Sequence, residues 1–236
     1  MKQLFDANKP HLAVWLWIYD PILPSQTRHR PETPLPLLRT PLHYAAFCGL
    51  HTIVKNLADQ YPEHVHSRGF DGRSTPLHLA SSEGHLEVAK VLVDLGHGTN
   101  VIAQSMNWLT PLHEASTVEM ARFLTEHGAD ATARDKFGLT PLHWVVDREN
   151  VDVARFLIEH GADVTARDKN GQTPLQYIST LESINMDLAM LLVEHGADVT
   201  AQDENGSTPL LDASHCYSGN MEFCAFDVGR YDRGDA

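Results

Sequence analysis

The chain has little positive charge for its length. It carries 18 Lys and Arg against 31 Asp and Glu over 236 residues, which gives a formal net charge of −13. A protein that binds nucleic acid presents a cluster of basic residues to the phosphates, and no such block occurs here. We therefore expect no nucleic-acid partner, and we attribute the dispersed acidic residues to solubility.

Cysteines and long apolar segments are also scarce. Cys48, Cys216 and Cys224 are odd in number and lack metal-ligand spacing, so a disulfide framework is not indicated. The absence of a disulfide framework indicates a reducing compartment. We therefore predict that the protein is cytoplasmic, and a nuclear location is not excluded. The apolar run 12–19 is far shorter than the roughly 20 residues that span a bilayer. No small-residue cleavage site follows it, so we expect a helix that packs on the first repeat, and no membrane partner.

The sequence instead repeats itself. Thr-Pro-Leu-His occurs at Thr40–His43, Thr75–His78, Thr110–His113 and Thr140–His143, and shorter matches begin at Thr173 and Thr208. The copies recur every 30 to 35 residues. Such a period indicates a stacked-repeat protein, in which each unit buries its apolar face against its neighbours. An array of this kind offers a long shaped surface, not an enclosed pocket.

The segment from Thr75 to Gly96 shows what one repeat encodes. Thr75 is suited to cap a helix and Pro76 to occupy its first position. His78 stands where a capping-box side chain returns a hydrogen bond to the cap. Gly84 predicts the end of this short helix, and the apolar residues that follow have helical spacing and predict a second helix.

The histidines follow the repeat as well. Four of the 15 are the capping positions, and His127, His160 and His195 each precede a glycine at the exit of a second helix. Equivalent residues one repeat apart are too distant to share an ion with bonds of about 2 Å. Phosphate-loop and zinc-protease motifs are absent, so we expect no metal, no cofactor and no enzymatic activity.

These segments resemble the ankyrin-repeat family, whose signature is matched by TPLHYAAFCG at 40–49, TPLHLASSEGHLEVAKVLVDLG at 75–96 and EHGADVTARDKNGQTPL at 159–175. The phrases DVTARDKNG and KPHLAVWLWIYD are further similar to ankyrin arrays of fungal STAND-type NACHT receptors. The resemblance implies an all-α solenoid, elongated and curved, of about five to six helix-turn-helix repeats joined by hairpin-like turn loops. We predict an N-terminal helix and proline-rich lead-in at 1–39, the array at 40–216, and a degenerate C-terminal cap and tail at 217–236.

The copies are unequal. The third copy is short between its two helices, which predicts a shortened helix or a tightened turn. It also lacks the Asp-x-x-Gly turn before Thr110, where Met106-Asn107-Trp108-Leu109 stands instead. We expect function to reside where the copies differ.

The resemblance implies that a partner protein lies on the concave face, against the turn tips and the exposed ends of the first helices. The turn-tip candidates are Trp108, Leu109, Lys136, Phe137, Leu139, Lys169, Asn170, Gln172, Glu204 and Asn205. The first-helix candidates are Phe47, Ser82, Glu83, Asp147 and Arg148. Trp108 and Phe137 are the strongest candidates, since exposed aromatic side chains are preferred anchors in interfaces.

Two functions remain open at this point. The first is a monomeric, non-catalytic protein-interaction module, alone or within a larger scaffold or receptor. The second is an enzyme or enzyme-regulatory subunit whose site lies in the N-terminal segment or the tail, which requires a cluster of perturbed ionisable groups.

Overall fold

The computed structural model describes residues 40–69, 74–95, 99–180 and 184–217, and within these ranges the regular structure is helical, with no strand. The α-helices are α1 (Pro41–Phe47), α2 (His51–Gln60), α3 (Pro76–Ser82), α4 (Leu86–Leu95), α5 (Val118–Glu126), α6 (Pro141–Asp147), α7 (Val151–Glu159), α8 (Pro174–Ser179), α9 (Met186–Glu194) and α10 (Pro209–Tyr217). Short 3-10 helices span Pro62–His64, Thr99–Ile102 and Pro111–Glu114. The all-α prediction is confirmed.

The helices stack in two layers. The first helices of successive repeats contact one another in the order α1, α3, the 3-10 helix Pro111–Glu114, α6, α8 and α10. The second helices contact in the order α2, α4, α5, α7 and α9, and within a repeat each first helix contacts its own second helix. This nearest-neighbour arrangement is the predicted repeat solenoid.

A single apolar core runs along the stack between the two layers. The leucine of each Thr-Pro-Leu motif lies in it, from Leu42 to Leu175, and none of the five is more than 5% exposed. The second helices supply Val88, Met120, Val153 and Leu188, which are also fully buried. One helix pair has too little apolar surface to exclude water from both of its faces, so every unit depends on its neighbours.

The third repeat has the irregularity that its length predicts. Its first helix is reduced to the 3-10 helix Pro111–Glu114, and Ala115 then leaves the helical conformation. Thr117 follows almost at once and caps α5, with its hydroxyl oxygen 3.2 Å from the backbone nitrogen of Met120. The shortening therefore falls on the first helix, and the second helix keeps a normal length.

The capping threonine and the motif histidine form the same hydrogen bonds in four repeats. The backbone N–H of Thr75 donates to Nδ1 of His78 at 3.3 Å, and the threonine hydroxyl lies 2.8 Å from the same nitrogen. Since a backbone N–H is only a donor, Nδ1 accepts and the ring proton is on Nε2. Nε2 then donates to the carbonyl oxygen of Leu109 in the next repeat, at 2.9 Å. The predicted capping role is confirmed, and the inter-repeat bond is an addition to it.

The fifth repeat keeps both bonds with a different side chain. Its motif residue is Gln176, whose Oε1 accepts from the backbone N–H of Thr173 at 3.0 Å. Its Nε2 donates to the carbonyl oxygen of Ser207 at 2.9 Å. A glutamine therefore replaces the histidine because it offers an acceptor and a donor with about the same separation.

This equivalence gives a stability prediction for His78. We expect His78→Ala to lower the free energy of unfolding by about 2–4 kcal/mol, because it leaves a buried carbonyl and a helix N-terminus without their partner and opens a cavity. His78→Gln should cost about 1 kcal/mol or less, since Gln176 makes the same pair of bonds. Urea unfolding at pH 7.5 followed by circular dichroism measures both. Equal losses in the two variants would contradict the inter-repeat role of the side chain.

The same histidines predict a pH dependence. Burial lowers the pKa of His78, His113 and His143 to about 4 in each case. The unfolded chain, with histidine pKa values near 6.5, therefore binds more protons than the folded chain in the interval between these values. The free energy of unfolding should fall as the pH drops from about 6.5 towards 4, by up to about 3 kcal/mol for each histidine.

Urea unfolding of the wild type and His78→Gln at several pH values between 7.5 and 4.5 tests this prediction. The variant should show a shallower loss of stability on acidification, because one titrating group has been removed. A free energy of unfolding that does not change across this range would refute the prediction.

Candidate functional site

The turns between repeats are built around a buried aspartate. Oδ1 of Asp135 accepts from the backbone N–H groups of Phe137 and Leu139, each at 2.8 Å. The backbone N–H of Asp135 donates to the carbonyl of Leu139 at 2.9 Å and closes the turn. Gly138 has a φ of +84°, which a residue without a side chain adopts freely. Asp168 holds the following turn in the same way, through Asn170 and Gln172.

Burial raises the pKa of the Asp135 carboxyl, and the hydrogen bonds from Leu139, Phe137 and Trp144 oppose that effect. The indole N–H of Trp144 donates to Oδ2 of Asp135 at 3.2 Å, which ties the turn to α6. The hydroxyl of Tyr177 donates to Oδ2 of Asp168 at the same distance and ties the next turn to α8. The angle between turn and first helix is thus fixed by a side-chain bond in each of these repeats.

Successive turns are also bonded to each other. The backbone N–H of Lys136 donates to the carbonyl of Asn107 at 2.8 Å, and that of Lys169 donates to Phe137 at 2.9 Å. The Arg134 guanidinium donates to the carbonyl of Arg167 at 2.6 Å, one repeat further on. The structure therefore brings together the turn-tip candidates Trp108, Lys136, Phe137, Lys169, Asn170, Glu204 and Asn205 in one continuous row.

The third turn, 105–109, departs from this scheme at two positions. Ser105 replaces the aspartate, and its hydroxyl accepts a single turn bond, from the backbone N–H of Leu109 at 3.2 Å. Trp108 stands in the glycine position with a φ of +63°. A left-handed backbone costs a residue with a β-carbon about 1–2 kcal/mol. The Trp108 side chain is nevertheless 51% exposed and that of Met106 is 54% exposed.

The first-helix candidates lie at the ends of α1, α3 and α6. Glu83 and Arg148 are exposed, and Phe47, Ser82 and Asp147 are half-buried. Arg148 is held in place, since its guanidinium donates to the carbonyl of Glu114 at 3.1 Å and lies 5.6 Å from the centre of the Trp144 ring. It therefore presents a positioned positive charge instead of a freely moving one.

Two of the turn-tip predictions are wrong. Leu139 is only 5% exposed and Gln172 only 7%. Each is the last residue of its turn, where its N–H is bonded to the turn aspartate. The carbonyl oxygen of this residue accepts from the motif histidine of the preceding repeat. In the fourth turn, for example, Nε2 of His113 donates to the carbonyl oxygen of Leu139 at 3.2 Å. These bonds hold the residue inside the stack, so its side chain is not part of the surface. Leu109 has the same place in its turn and is half-buried.

Met106 was not among the sequence candidates, although the repeat register points to it. It precedes Thr110 by four residues, as Lys136 precedes Thr140, and so it occupies a turn tip. The bonds of Trp144 and Tyr177 to the turn aspartates were also missed. Each aromatic residue stands directly after the motif histidine or glutamine, and that regular position was the available signal.

The described residues contain no group of three or more His, Cys, Asp or Glu side chains that could hold a metal ion. His127, His160 and His195, the exit histidines, donate from Nδ1 to backbone carbonyls at the ends of their helices, at 2.7–2.8 Å. The N-terminal segment and the tail, to which the enzymatic alternative was assigned, lie outside the described residues. Across the same described ranges, no helix is both long and apolar enough to cross a membrane.

Comparison with known proteins adds an independent observation. A family model described as "Ankyrin repeats (3 copies)" matches residues 16–105 and 95–168, and one described as "Ankyrin repeat" matches residues 170–204. Among curated proteins, the chain is 33% identical over 144 residues to the Ankyrin repeat and SAM domain-containing protein 6 of Mus musculus, a match that covers 60% of the chain and 15% of that protein.

Two further relatives are similar over shorter segments. The chain is 34% identical over 116 residues to the Probable 26S proteasome regulatory subunit p28 of Saccharomyces cerevisiae, which covers 44% of the chain and 48% of that protein. It is 37% identical over 78 residues to the Serine/threonine-protein kinase VIK of Arabidopsis thaliana, covering 32% of the chain and 17% of the kinase. The chain thus spans less than half the length of each of these relatives.

The turn geometry predicts the effect of changing Asp135. We expect Asp135→Ala to lower the free energy of unfolding by about 2–3 kcal/mol, because two buried N–H groups and the Trp144 indole lose their acceptor. Asp135→Ser should lose less, since Ser105 makes one of these bonds in the third turn. The carboxylate of exposed Asp130 accepts bonds from Thr132, two residues away, so Asp130→Ala should lose about 1 kcal/mol or less. Urea unfolding measures the three values, and a loss for Asp135→Ala no larger than for Asp130→Ala would contradict this account of the turn.

Proposed function

Because the chain belongs to the ankyrin-repeat family, whose repeats indicate a protein-interaction module, we propose that it binds a partner protein on its concave face without catalysing a reaction. The face consists of the row of turn tips and the exposed ends of the first helices. The chain acts as a monomer in the cytoplasm, as one component of a scaffold or receptor. The resemblance to fungal STAND-type receptor arrays suggests a receptor but remains a prediction.

The observation that carries the proposal is the third turn. Met106 and Trp108 expose large apolar side chains within one turn, and Trp108 does so in a backbone conformation that favours glycine. Folding gains nothing evident from a strained, half-exposed tryptophan. A strained residue at the surface is a reason to look for a binding role, and tryptophan is among the residues that contribute most to interfaces.

The neighbouring turns supply a rigid border for this anchor. Asn107, in the same turn, accepts the backbone bond of Lys136, and the ladder continues through Phe137 to Lys169. A surface held by main-chain bonds loses little conformational entropy when a partner docks, which favours affinity. Half-buried Phe137 is the second anchor of the surface.

The charged residues along the surface indicate what kind of molecule would fit it. The tips of the fourth and fifth turns carry exposed Lys136 and Lys169, whereas Glu83 lies at the end of α3. An apolar centre bordered by charges of both signs fits a folded or extended polypeptide that offers an apolar side chain between charged ones. The net charge of −13 disfavours a nucleic acid as the occupant.

Substitution of Trp108 by glycine tests the proposal. Trp108→Gly relieves a strain of about 1–2 kcal/mol and adds the backbone entropy cost of glycine, about 0.5–1 kcal/mol, so stability should change by less than about 1 kcal/mol. Affinity for the partner should fall about tenfold or more, as expected for an interface anchor. Partners captured from native lysate are identified with the wild type and quantified by mass spectrometry with each variant.

The matched control is Met190→Ala. Met190 is 55% exposed, much like Trp108, but it lies on α9 in the layer of second helices, away from the turn tips and the first helices. This variant should recover the same partner as the wild type. Undiminished recovery with Trp108→Gly would refute the proposed surface, and equal loss with both variants would show that the effect is not specific to the turn.

A further inference from the structure

The segments that lead into the turns expose every second side chain. In the fourth turn Thr132, Arg134 and Lys136 are exposed, whereas Ala133 is half-buried and Asp135 is buried. The equivalent exposed residues of the fifth turn are Thr165, Arg167 and Lys169. Because successive turns lie side by side, these side chains form three rows along the array, which we name the threonine, arginine and lysine rows.

The third turn carries apolar side chains in the same rows. Ile102 stands in the threonine row and is 61% exposed, and Met106 stands in the lysine row and is 54% exposed. Gln104, in the arginine row, is exposed and uncharged. Together with Trp108, which is 51% exposed, these residues give the third turn an outward edge that is apolar and free of charge. The apolar anchor surface therefore extends beyond the turn tip to Ile102.

The two turns beside this edge present positive charge, which is scarce in a chain with 18 Lys and Arg against 31 Asp and Glu. The acidic residues of the same segments are engaged elsewhere. Asp135 and Asp168 are buried and accept backbone N–H groups of their own turns. Asp130 and Asp163 precede the arginines by four residues and accept hydrogen bonds from nearby threonines. The arginine and lysine rows of these two turns thus carry only positive charge.

The two arginines are fixed in place and keep donors for a partner. Nη1 of Arg134 donates to the carbonyl oxygens of Gly138 at 3.3 Å and Arg167 at 2.6 Å. Nη1 of Arg167 donates to those of Gly171 at 2.8 Å and Gln202 at 2.6 Å. A guanidinium has N–H donors on three nitrogens, and these bonds use only Nη1. A positioned guanidinium with unused donors suits a carboxylate, which accepts from it strongly.

The basic stretch ends at the sixth turn. Glu204 stands in the lysine row there and Gln202 in the arginine row, and both are exposed. Along the rows the surface therefore changes from apolar in the third turn to basic in the fourth and fifth turns and to acidic in the sixth. The backbone N–H groups of Lys136, Lys169 and Glu204 each donate to the preceding turn at 2.8–2.9 Å, so this order is held by main-chain bonds.

We propose that the occupant of this surface is an extended acidic segment of a polypeptide, which packs a large apolar side chain against Met106 and Trp108 and directs carboxylates at the fourth and fifth turns. This inference rests on the proposed function and specifies its partner. Equivalent positions of packed repeats are about 10 Å apart, and an extended chain advances about 3.3 Å per residue. The carboxylates accordingly lie about three and about six residues from the apolar side chain. A carboxylate about nine residues away would meet Glu204 and is disfavoured.

A short acidic segment fits the surface better than a uniformly charged polymer or an anionic bilayer. Such a polymer or bilayer would bring negative charge against the whole face, including exposed Glu83 and Glu204. The net charge of −13 adds a general repulsion. A segment that is apolar at one end and acidic over a few residues meets only the turns that complement it.

Selection from a random peptide library displayed on phage, with the full chain immobilised, tests the proposal. The wild type should enrich peptides in which Trp, Phe, Leu or Met is separated from Asp or Glu by about three and about six residues. Enriched peptides are synthesised with a fluorescein label, and their affinity is measured by fluorescence polarisation. The affinity should fall as the ionic strength rises, because salt screens exposed charge pairs.

Reversal of charge at the turn tips is the decisive variant. Lys136→Glu combined with Lys169→Glu should weaken binding of a selected peptide about tenfold or more, since attraction is replaced by repulsion. The turn accommodates glutamate at this position, as Glu204 shows. The matched control is Lys55→Glu combined with Arg155→Glu, which changes the net charge equally on exposed positions of α2 and α7. The control should alter the affinity by less than about twofold. Circular dichroism checks that both variants stay folded.

The Trp108→Gly variant separates this inference from the proposed function. Loss of peptide binding in Trp108→Gly, with unchanged affinity in the charge-reversed variant, would refute the acidic partner and leave the proposed surface standing. Peptides whose affinity neither change affects would contradict both. A library that enriches no peptide on the wild type above the charge-reversed variant would overturn the extended acidic partner. Binding of fluorescein-labelled single-stranded DNA as tight as that of the selected peptide would overturn it in favour of a nucleic acid.

Discussion

The hydrogen bond from each motif side chain to the carbonyl before the next Thr-Pro determines how this array is assembled. In the repeat that begins at Thr75, one imidazole accepts from the N-cap of its own helix and donates to Leu109, the last residue of the next turn. Helix start, turn end and repeat spacing are therefore fixed by a single buried group. Because the ring performs both roles only when neutral, the fold depends on the low pKa that burial imposes on it.

The regular spacing of the turns follows from that bond. The carbonyl oxygen that accepts the imidazole N–H belongs to the last residue of a turn, and the backbone N–H of that residue donates to the turn aspartate. Leu139 makes both bonds, since its carbonyl accepts from His113 and its N–H donates to Asp135. Each turn is thereby attached to the preceding repeat at its base and to the neighbouring turns at its tip. A side chain at a tip, such as that of Lys136 or Trp108, is consequently placed by the backbone and needs no packing of its own.

The sequence predicted those parts of the structure that depend on local chemistry. Thr75, Pro76 and His78 define a helix start wherever they occur together, and the missing residues of the third copy correctly indicated a shortened element. The errors came from treating the turn as a uniform loop. Leu139 and Gln172 lie within the same short segment as Lys136 and Lys169, yet the return of the chain to the stack buries them. The bond of Arg134 to the carbonyl of Arg167 depends on a contact between two successive repeats that no local pattern encodes.

Identical repeats give a scaffold its stability but give it no means of choosing a partner, because every unit presents the same surface. Selectivity has to come from copies that depart from the pattern, and each departure costs stability. In the third turn, Trp108 has a left-handed backbone, and Ser105 accepts one turn bond where the aspartate of other turns accepts two. In a nearest-neighbour array, such a change lowers the stability of the repeat that contains it and of the two repeats that contact it. The third unit is flanked by repeats that keep their Thr-His pairs, so it can hold a weaker turn without loss of the stack. A departure from the repeat pattern is therefore tolerated best at an interior position between intact repeats.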